Sequence, residues 1–292
     1  MKPWLAAVAL ALTIAGCGRP GGGGTPVVTP PAQALAAWEG FPADSKPRPI
    51  LWLGTFSPQG FTTDGGKLAA MCSRFALGSG LPKNLPTHVT ATWEDGTTNA
   101  YGGISAADAY AALSRPDPAM ASADCASVNP IVINGAHVGT AEFATDRGKA
   151  RMTAWLFSGT GVVGEFAWPA LVPSAFWNGG MIAGSYSSGA SLSKDGLSVT
   201  LYFAGAPDNA GPCGADYKGV VAESPFAVAI AIQAISHATP GDLIACTAIA
   251  AERSVTVKLS NKLGGRVVAD ADGKAVAVCG GRDCSPLAAP TS

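Results

Sequence analysis

From residue 50 onward, apolar and polar positions alternate in short runs. A two-residue period sends successive side chains to opposite faces of a strand. Residues 227–235 and 255–259 (Val-Thr-Val-Lys-Leu) read this way. Asp-Gly interrupts the alternation at 95–96 within HVTATWEDGTTNAY, at 195–196 within ASLSKDGLSVTLYF and at 272–273 within RVVADADGKAVAV. Such a dipeptide between alternating runs predicts a hairpin with a type I′ turn, because both residues tolerate positive φ. Arg147-Gly148 predicts a fourth hairpin, between 140–143 and 151–157. Helical signals are few. Ser105-Ala106-Ala107-Asp108 reads as a capping box that opens a helix to about Leu113, and Pro116 forbids its continuation. A second helix is expected over 66–75.

These elements predict a mainly β chain. An α+β part with one or two short helices is expected over residues 50–165. An all-β part, sandwich-like or an open barrel, is expected over 181–292. Between them, residues 166–180 (FAWPALVPSAFWNGG) form an aromatic and proline-rich connector. No internal repeat is evident.

The amino terminus follows a different pattern. Met1-Lys2 precedes an apolar run over residues 4–14, too short for a membrane-spanning helix of about 20 residues but fitting the core of a signal peptide. It ends in Ile14-Ala15-Gly16-Cys17, which resembles a bacterial lipobox. Residues 1–16 are therefore expected to be removed and Cys17 to be lipidated. Each buried methylene of an acyl chain contributes about 0.8 kcal/mol, and two chains make the anchor stable. The expected address is the outer face of the cell membrane. Residues 17–49 open with GRPGGGGTPVVTPP from residue 18 and read as a tether, flexible where glycine dominates and stiffer where proline does. Residues 32–38 have room for a turn or two of helix.

Six cysteines remain besides Cys17, an even number that reads as disulfides outside the cytoplasm. Local pairing favours Cys72–Cys125, Cys213–Cys246 and Cys279–Cys284. No Cys-x-x-Cys pair occurs and His88, His137 and His237 are scattered, so neither zinc nor another cofactor is expected. Charged residues make up 13% of the chain, the net charge is −1, and no basic cluster interrupts the pattern. Nucleic-acid binding needs a concentrated positive surface and is not expected.

Familiar catalytic machinery is missing. Gly184-Ser185-Tyr186-Ser187-Ser188-Gly189 has the wrong spacing for a nucleophile elbow. Asp270-Ala271-Asp272-Gly273 lacks the later ligands of a calcium loop and reads as a turn. Glu94-Asp95 sits at a turn, and neighbouring residues on a strand point to opposite faces, which argues against paired-carboxylate chemistry. No catalytic residue is assigned. Trp168, Phe176 and Trp177 are candidate binding aromatics, with packing between the two parts as the favoured alternative. Asp216-Tyr217 reads as a turn in which the Tyr hydroxyl caps backbone groups.

The chain resembles a family of actinobacterial lipoproteins of unassigned activity. The shared stretches are Asp124-Cys125, Pro130-Ile131-Val132, Gly135-Ala136 and Thr145-Asp146-Arg147-Gly148-Lys149-Ala150 leading to Trp155. In the second half they are Pro212-Cys213-Gly214-Ala215-Asp216-Tyr217, Glu223-Ser224, Cys246-Thr247 and Leu263-Gly264-Gly265-Arg266-Val267-Val268. The resemblance implies a lipid-anchored, extracytoplasmic address and supports pairing Cys213 with Cys246. The Cys279–Cys284 loop lies beyond the shared pattern. The expected function is a non-enzymatic binding or accessory protein of the envelope, with a protein or a wall polymer as partner. The alternative is an envelope hydrolase with its site between the two parts.

Overall fold

A computed structural model of the chain describes residues 31–55, 58–116, 123–182, 184–208, 210–239, 244–246 and 249–279. The first half contains β1 (Ile50–Thr55), β2 (Gly60–Phe61), α1 (Asp64–Met71), β3 (Phe75–Leu77), β4 (Val89–Trp93) and β5 (Thr98–Tyr101). It continues with α2 (Ala106–Leu113), α3 (Ala123–Ser127), β6 (Ile131–Thr145), β7 (Gly148–Gly159), β8 (Val162–Val163), β9 (Phe166–Pro169) and β10 (Phe176–Met181). The second half contains β11 (Gly184–Leu192), β12 (Ser198–Gly205), β13 (Ala215–Glu223), β14 (Ala227–Ser236), β15 (Ala251–Lys258), β16 (Val267–Ala269) and β17 (Ala275–Cys279). The protein is mainly β, as the alternation predicts, and its two large sheets curl into a half-barrel and a nearly closed barrel.

The half-barrel is an eight-stranded sheet with the path β10-β1-β6-β7-β4-β5, to which β3 adds beside β6 and β9 beside β7. Its long central hairpin, β6–β7, runs in register from Thr145 opposite Gly148 to Gly135 opposite Ser158. Strand β7 is buried on both faces. Ala150, Met152 and Ala154 join Ile50, Trp52, Trp93, Phe143 and Phe176 on the concave side. Trp155 and Phe157 point the other way, against Ala69 of α1 and Ala106 and Ala109 of α2. The Ser105–Asp108 capping box starts α2 as its sequence requires. Helix α1 begins two residues before the expected start, capped by the Thr63 hydroxyl, and ends by residue 71 because residues 75–77 are taken into the sheet.

The barrel has the path β13-β14-β16-β17-β11-β12-β15, with parallel joins between β14 and β16 and between β11 and β17. Its two end strands meet at a seam. A Cβ on Gly219 of β13 would stand 2.5 Å from Val257 Cγ1 of β15, so only glycine permits that approach. The interior is filled by Val199, Leu201, Phe203, Val228, Ile230, Val255, Val257 and neighbouring aliphatic residues.

All four sequence-predicted hairpins form, with a different turn at the Asp-Gly sites. Only the glycine has positive φ: +81° at Gly96, +75° at Gly196 and +78° at Gly273. The Gly96 N–H donates to Trp93 O and the Gly196 N–H to Ser193 O, the pattern of a turn followed by a glycine bulge. The aspartates explain the choice. Asp95 Oδ1 accepts from Thr97 N at 2.8 Å and Asp195 Oδ1 from Leu197 N at 3.0 Å, which holds each aspartate on the ordinary side of φ.

Residues 166–180, expected to connect two parts, are themselves structural: β9 and β10 are strands of the half-barrel. Residues 31–38, expected within the tether, form a 3-10 helix whose Trp38 is buried. Trp38, Phe41, Leu51, Ala227, Val267, Ala269 and Ala275 make the core of the junction between the two sheets, with Trp177 packed against it. Disulfides join Cys72 to Cys125 and Cys213 to Cys246, the expected pairs. Cys279 is disulfide-bonded as well. Its expected partner Cys284 lies outside the described residues, as does Cys17.

Candidate functional site

The β6–β7 turn at Asp146-Arg147 is where the two sheets are tied together. Arg48, just before β1, donates through Nε to Gly265 O of the barrel at 2.7 Å and through both Nη atoms to the Asp146 carboxylate at 3.3 and 2.5 Å. The two side chains are 7% and 4% exposed. A buried charge persists only when it is paired and hydrogen-bonded, and here each partner neutralises the other. The Val278 N–H donates to Asp146 O at 2.9 Å, so β17 docks on the same turn. Gly265 approaches so closely that a Cβ there would lie 1.9 Å from Ala43 O. Two sequence stretches distant along the chain, 145–150 and 263–268, thus meet at this tie.

The next residue, Arg147, faces a different environment. Its guanidinium carbon lies 4.0 Å from the centroid of the Trp93 ring, a cation–π stack. Its Nε and Nη2 are both buried and find no acceptor among the described residues. The same holds for the Trp52 and Trp93 indole N–H groups of the concave core, while the Tyr101 hydroxyl packed on that core has the Asn99 side chain as its neighbour. Trp155 on the convex side shows the usual alternative, donating to Ile104 O at 2.9 Å. A buried donor without an acceptor costs about 1–3 kcal/mol, so four in one cluster is a large concentration of unmet hydrogen bonding. Burial lowers the pKa of Arg147, Asp146 offsets this and Arg48 adds to it, and a guanidinium remains protonated at neutral pH. Burial raises the pKa of Tyr101 against the opposing effects of Arg147 and of a hydrogen bond with the Asn99 side chain, so its hydroxyl stays protonated and remains a donor.

Tyr101, which acts electrostatically on Arg147, lines an opening where β5 ends and where β1 and β10 begin, between the free edges of the half-barrel. Pro47, Arg48, Pro49, Tyr101, Gly102, Val172, Ser174 and Ala175 line a cavity of ≈ 250 Å³ there. The set is rich in donors, and the nearby carboxylate, Asp146, is spent on Arg48. Asp95 stands on an exposed turn, where the Thr97 N–H holds its carboxyl below the ordinary range. The arrangement suits a ligand that brings acceptors or negative charge.

The sequence-predicted aromatics are packed rather than presented. Phe176 is buried in the concave core, and its ring centroid is 5.6 Å from that of Trp52. Trp168 is half-buried, edge-on to Trp52 at 4.8 Å. Trp177 packs edge-on to Phe41 at 5.1 Å in the junction, between the two parts as the favoured alternative has it. The Tyr217 hydroxyl accepts from Ala206 N at 2.7 Å, the expected backbone cap. Two histidines have carboxylate neighbours that sequence cannot name: His237 with Asp216 at 3.1 Å and His137 with Glu165 at 3.6 Å. Among the described residues, no group of three or more His, Cys, Asp or Glu side chains is placed to hold a metal.

Arg48, Trp93 and Tyr101 carry no signal in the sequence, and Arg147 is marked there only as a turn residue within a shared stretch. An arginine beside a hairpin glycine reads as a solvated turn residue, and only the curl of the sheet turns it back over Trp93. Among the described residues, no helix is long and apolar enough to cross a membrane. No family profile, no curated protein and no solved structure matches this chain.

Proposed function

We propose that this chain is a lipoprotein, cleaved before Cys17, acylated there and held on the outer face of the cell membrane, and that its β-rich body is a non-enzymatic binding or accessory protein of the envelope. The observation that carries the binding part is the half-barrel opening lined by Tyr101, together with four buried donors of Arg147, Trp52 and Trp93 that find no acceptor among the described residues. Support for the address comes from the apolar leader ending in Ala15-Gly16-Cys17 and from two disulfides in the body, which persist in oxidising compartments. The hydrolase alternative needs a free acid or base at the junction, and the carboxylate there is held by Arg48.

In-cell cross-linking of the native chain, followed by purification and mass spectrometry, tests this reading, with Cys17→Ser as the control. The expected result is one envelope protein or wall fragment captured in near-equal amount and lost with the control, which no longer fractionates with membranes. Turnover of an envelope substrate, abolished by a point change in the body, overturns it.

A further inference from the structure

We propose that the half-barrel opening is an oxyanion site, in which Arg147 and Tyr101 hold a carboxylate or phosphate group at the end of a larger ligand. This rests on the reading of that opening as the binding site. It adds the chemistry of what binds there.

The first argument is geometric. Nε and Nη2 lie on one edge of a guanidinium and point their N–H groups side by side, the fork that receives two oxygens of a carboxylate or phosphate. In Arg147 these are the two nitrogens without an acceptor among the described residues. Stacking on Trp93 covers a face of the guanidinium and leaves its edge in plane for an incoming group. Arg48 makes a useful comparison. Its Nε and both Nη atoms are occupied by Gly265 O and the Asp146 carboxylate, so it shows what a satisfied fork looks like in the same corner of the fold.

The second argument is charge. Arg48 and Asp146 pair with each other, and among the described residues Arg147 makes no ion pair of its own; the carboxylates that act on it are Asp146, held by Arg48, and the exposed Asp95. A neutral ligand would satisfy the hydrogen bonds and leave that charge alone. An oxyanion satisfies both, and the Tyr101 hydroxyl adds a third donor.

The third argument is size. A cavity of ≈ 250 Å³ is at the small end for a ligand site and accepts a terminal group rather than a whole molecule. Pro47, Pro49 and Val172 give its rim an apolar surface for the adjoining carbons. The fork lies beneath the surface, so the rim has to widen for the group to reach it. That rim consists of residues outside the strands, 47–49 and 172–175.

The test is thermal unfolding and tryptophan fluorescence of the detergent-solubilised, full-length chain, titrated with inorganic phosphate and, separately, with acetate. Sodium chloride at matched ionic strength is the reference. The expected result is a saturable rise in Tm and a fluorescence change with at least one of the two oxyanions, roughly millimolar in affinity. A response to phosphate points to a phosphoryl group, and one to acetate points to a carboxylate terminus. Arg147→Gln is expected to weaken binding at least about tenfold. Arg147→Lys keeps the charge without the fork and still loses several-fold. Tyr101→Phe, which keeps the ring, is the second variant should Arg147→Gln fold poorly, and a few-fold loss is expected. Lys258→Gln, on the barrel, leaves binding unchanged. A response equal to that of chloride, or one unaltered in all three site variants, overturns the proposal. Capture of an envelope partner without oxyanion binding would sink this inference alone and leave the binding-protein reading standing.

Discussion

The half-barrel and the barrel share one chain and one junction, yet their interiors are built from different material. The barrel is filled with valine, leucine, isoleucine and alanine around Phe203, and its inward tyrosine, Tyr217, has its hydroxyl engaged by Ala206 N. The half-barrel holds Trp52, Trp93, Phe143 and Phe176 with Tyr101 at its edge, and it gathers the donors that have no acceptor. In the barrel strands the one comparable atom among the described residues is Ser185 Oγ, near the start of β11. Closure explains the contrast. A nearly closed sheet narrows to a space that aliphatic side chains fill completely. An open one leaves a gap between its edges, and large aromatic rings span that gap while keeping polar atoms at its mouth.

The strongest way to break the comparison is to separate the two halves. Arg48→Ala leaves Asp146 as a lone buried charge and is expected to destabilise by about 3–5 kcal/mol. Urea unfolding followed by tryptophan fluorescence should then show the single transition moving sharply or splitting in two. Replacing both partners, Arg48→Met with Asp146→Leu, is expected to recover most of the loss. If the double variant is no better than the single, the tie is more than an ion pair.

A matched pair of tyrosines sharpens the contrast at smaller cost. Tyr217→Phe leaves the Ala206 N–H without its acceptor and is expected to destabilise by about 1–3 kcal/mol. Tyr101→Phe removes a hydroxyl whose neighbour is only the Asn99 side chain on the same strand, so unfolding of the unliganded protein should change by less than about 0.5 kcal/mol. Equal costs for the two would erase the distinction drawn between the interiors.

The smallest expected effect is a pH dependence confined to the barrel. Burial pushes the Glu223 carboxyl up, but the Ser260 N–H and Arg266 more than offset it, leaving the group below the ordinary value of 4.5. A carboxyl depressed in the folded state contributes stability that is fully present above 4.5 and is lost as pH falls through its folded value. Glu223→Gln should therefore flatten the acid limb of the stability profile. Its effect should be least at the lowest pH, where the native group is protonated too.

Local chemistry was readable from the sequence and long-range chemistry was not. The Asp-Gly hairpins and the Ser105–Asp108 cap follow from neighbours along the chain, and the two described disulfides pair each cysteine with the next one in sequence. Even there the turn type differed, because an aspartate carboxylate reaching two residues ahead is a finer preference than the dipeptide reveals. Residues 166–180 looked like a connector because prolines at 169 and 173 break the alternation. Pro169 nevertheless sits at the end of a strand and Pro173 in the 3-10 turn before the next. The candidate site depends on Arg48 finding Asp146 98 positions away and on Arg147 folding over Trp93. Neither partner can be chosen from composition or period.

The strap formed by residues 31–49, pinned by the buried Trp38, Phe41 and Arg48, has a mechanical consequence. A pull on the chain from upstream of Pro31 does not reach a half-barrel strand first. It arrives at Trp38, whose indole N–H is fastened to Gly273 O of the barrel, then at the Phe41 stack with Trp177, and then at Arg48. Tension is therefore shared between both halves before β1 is loaded, and the opening beside Arg48 is the first part of the half-barrel to feel it.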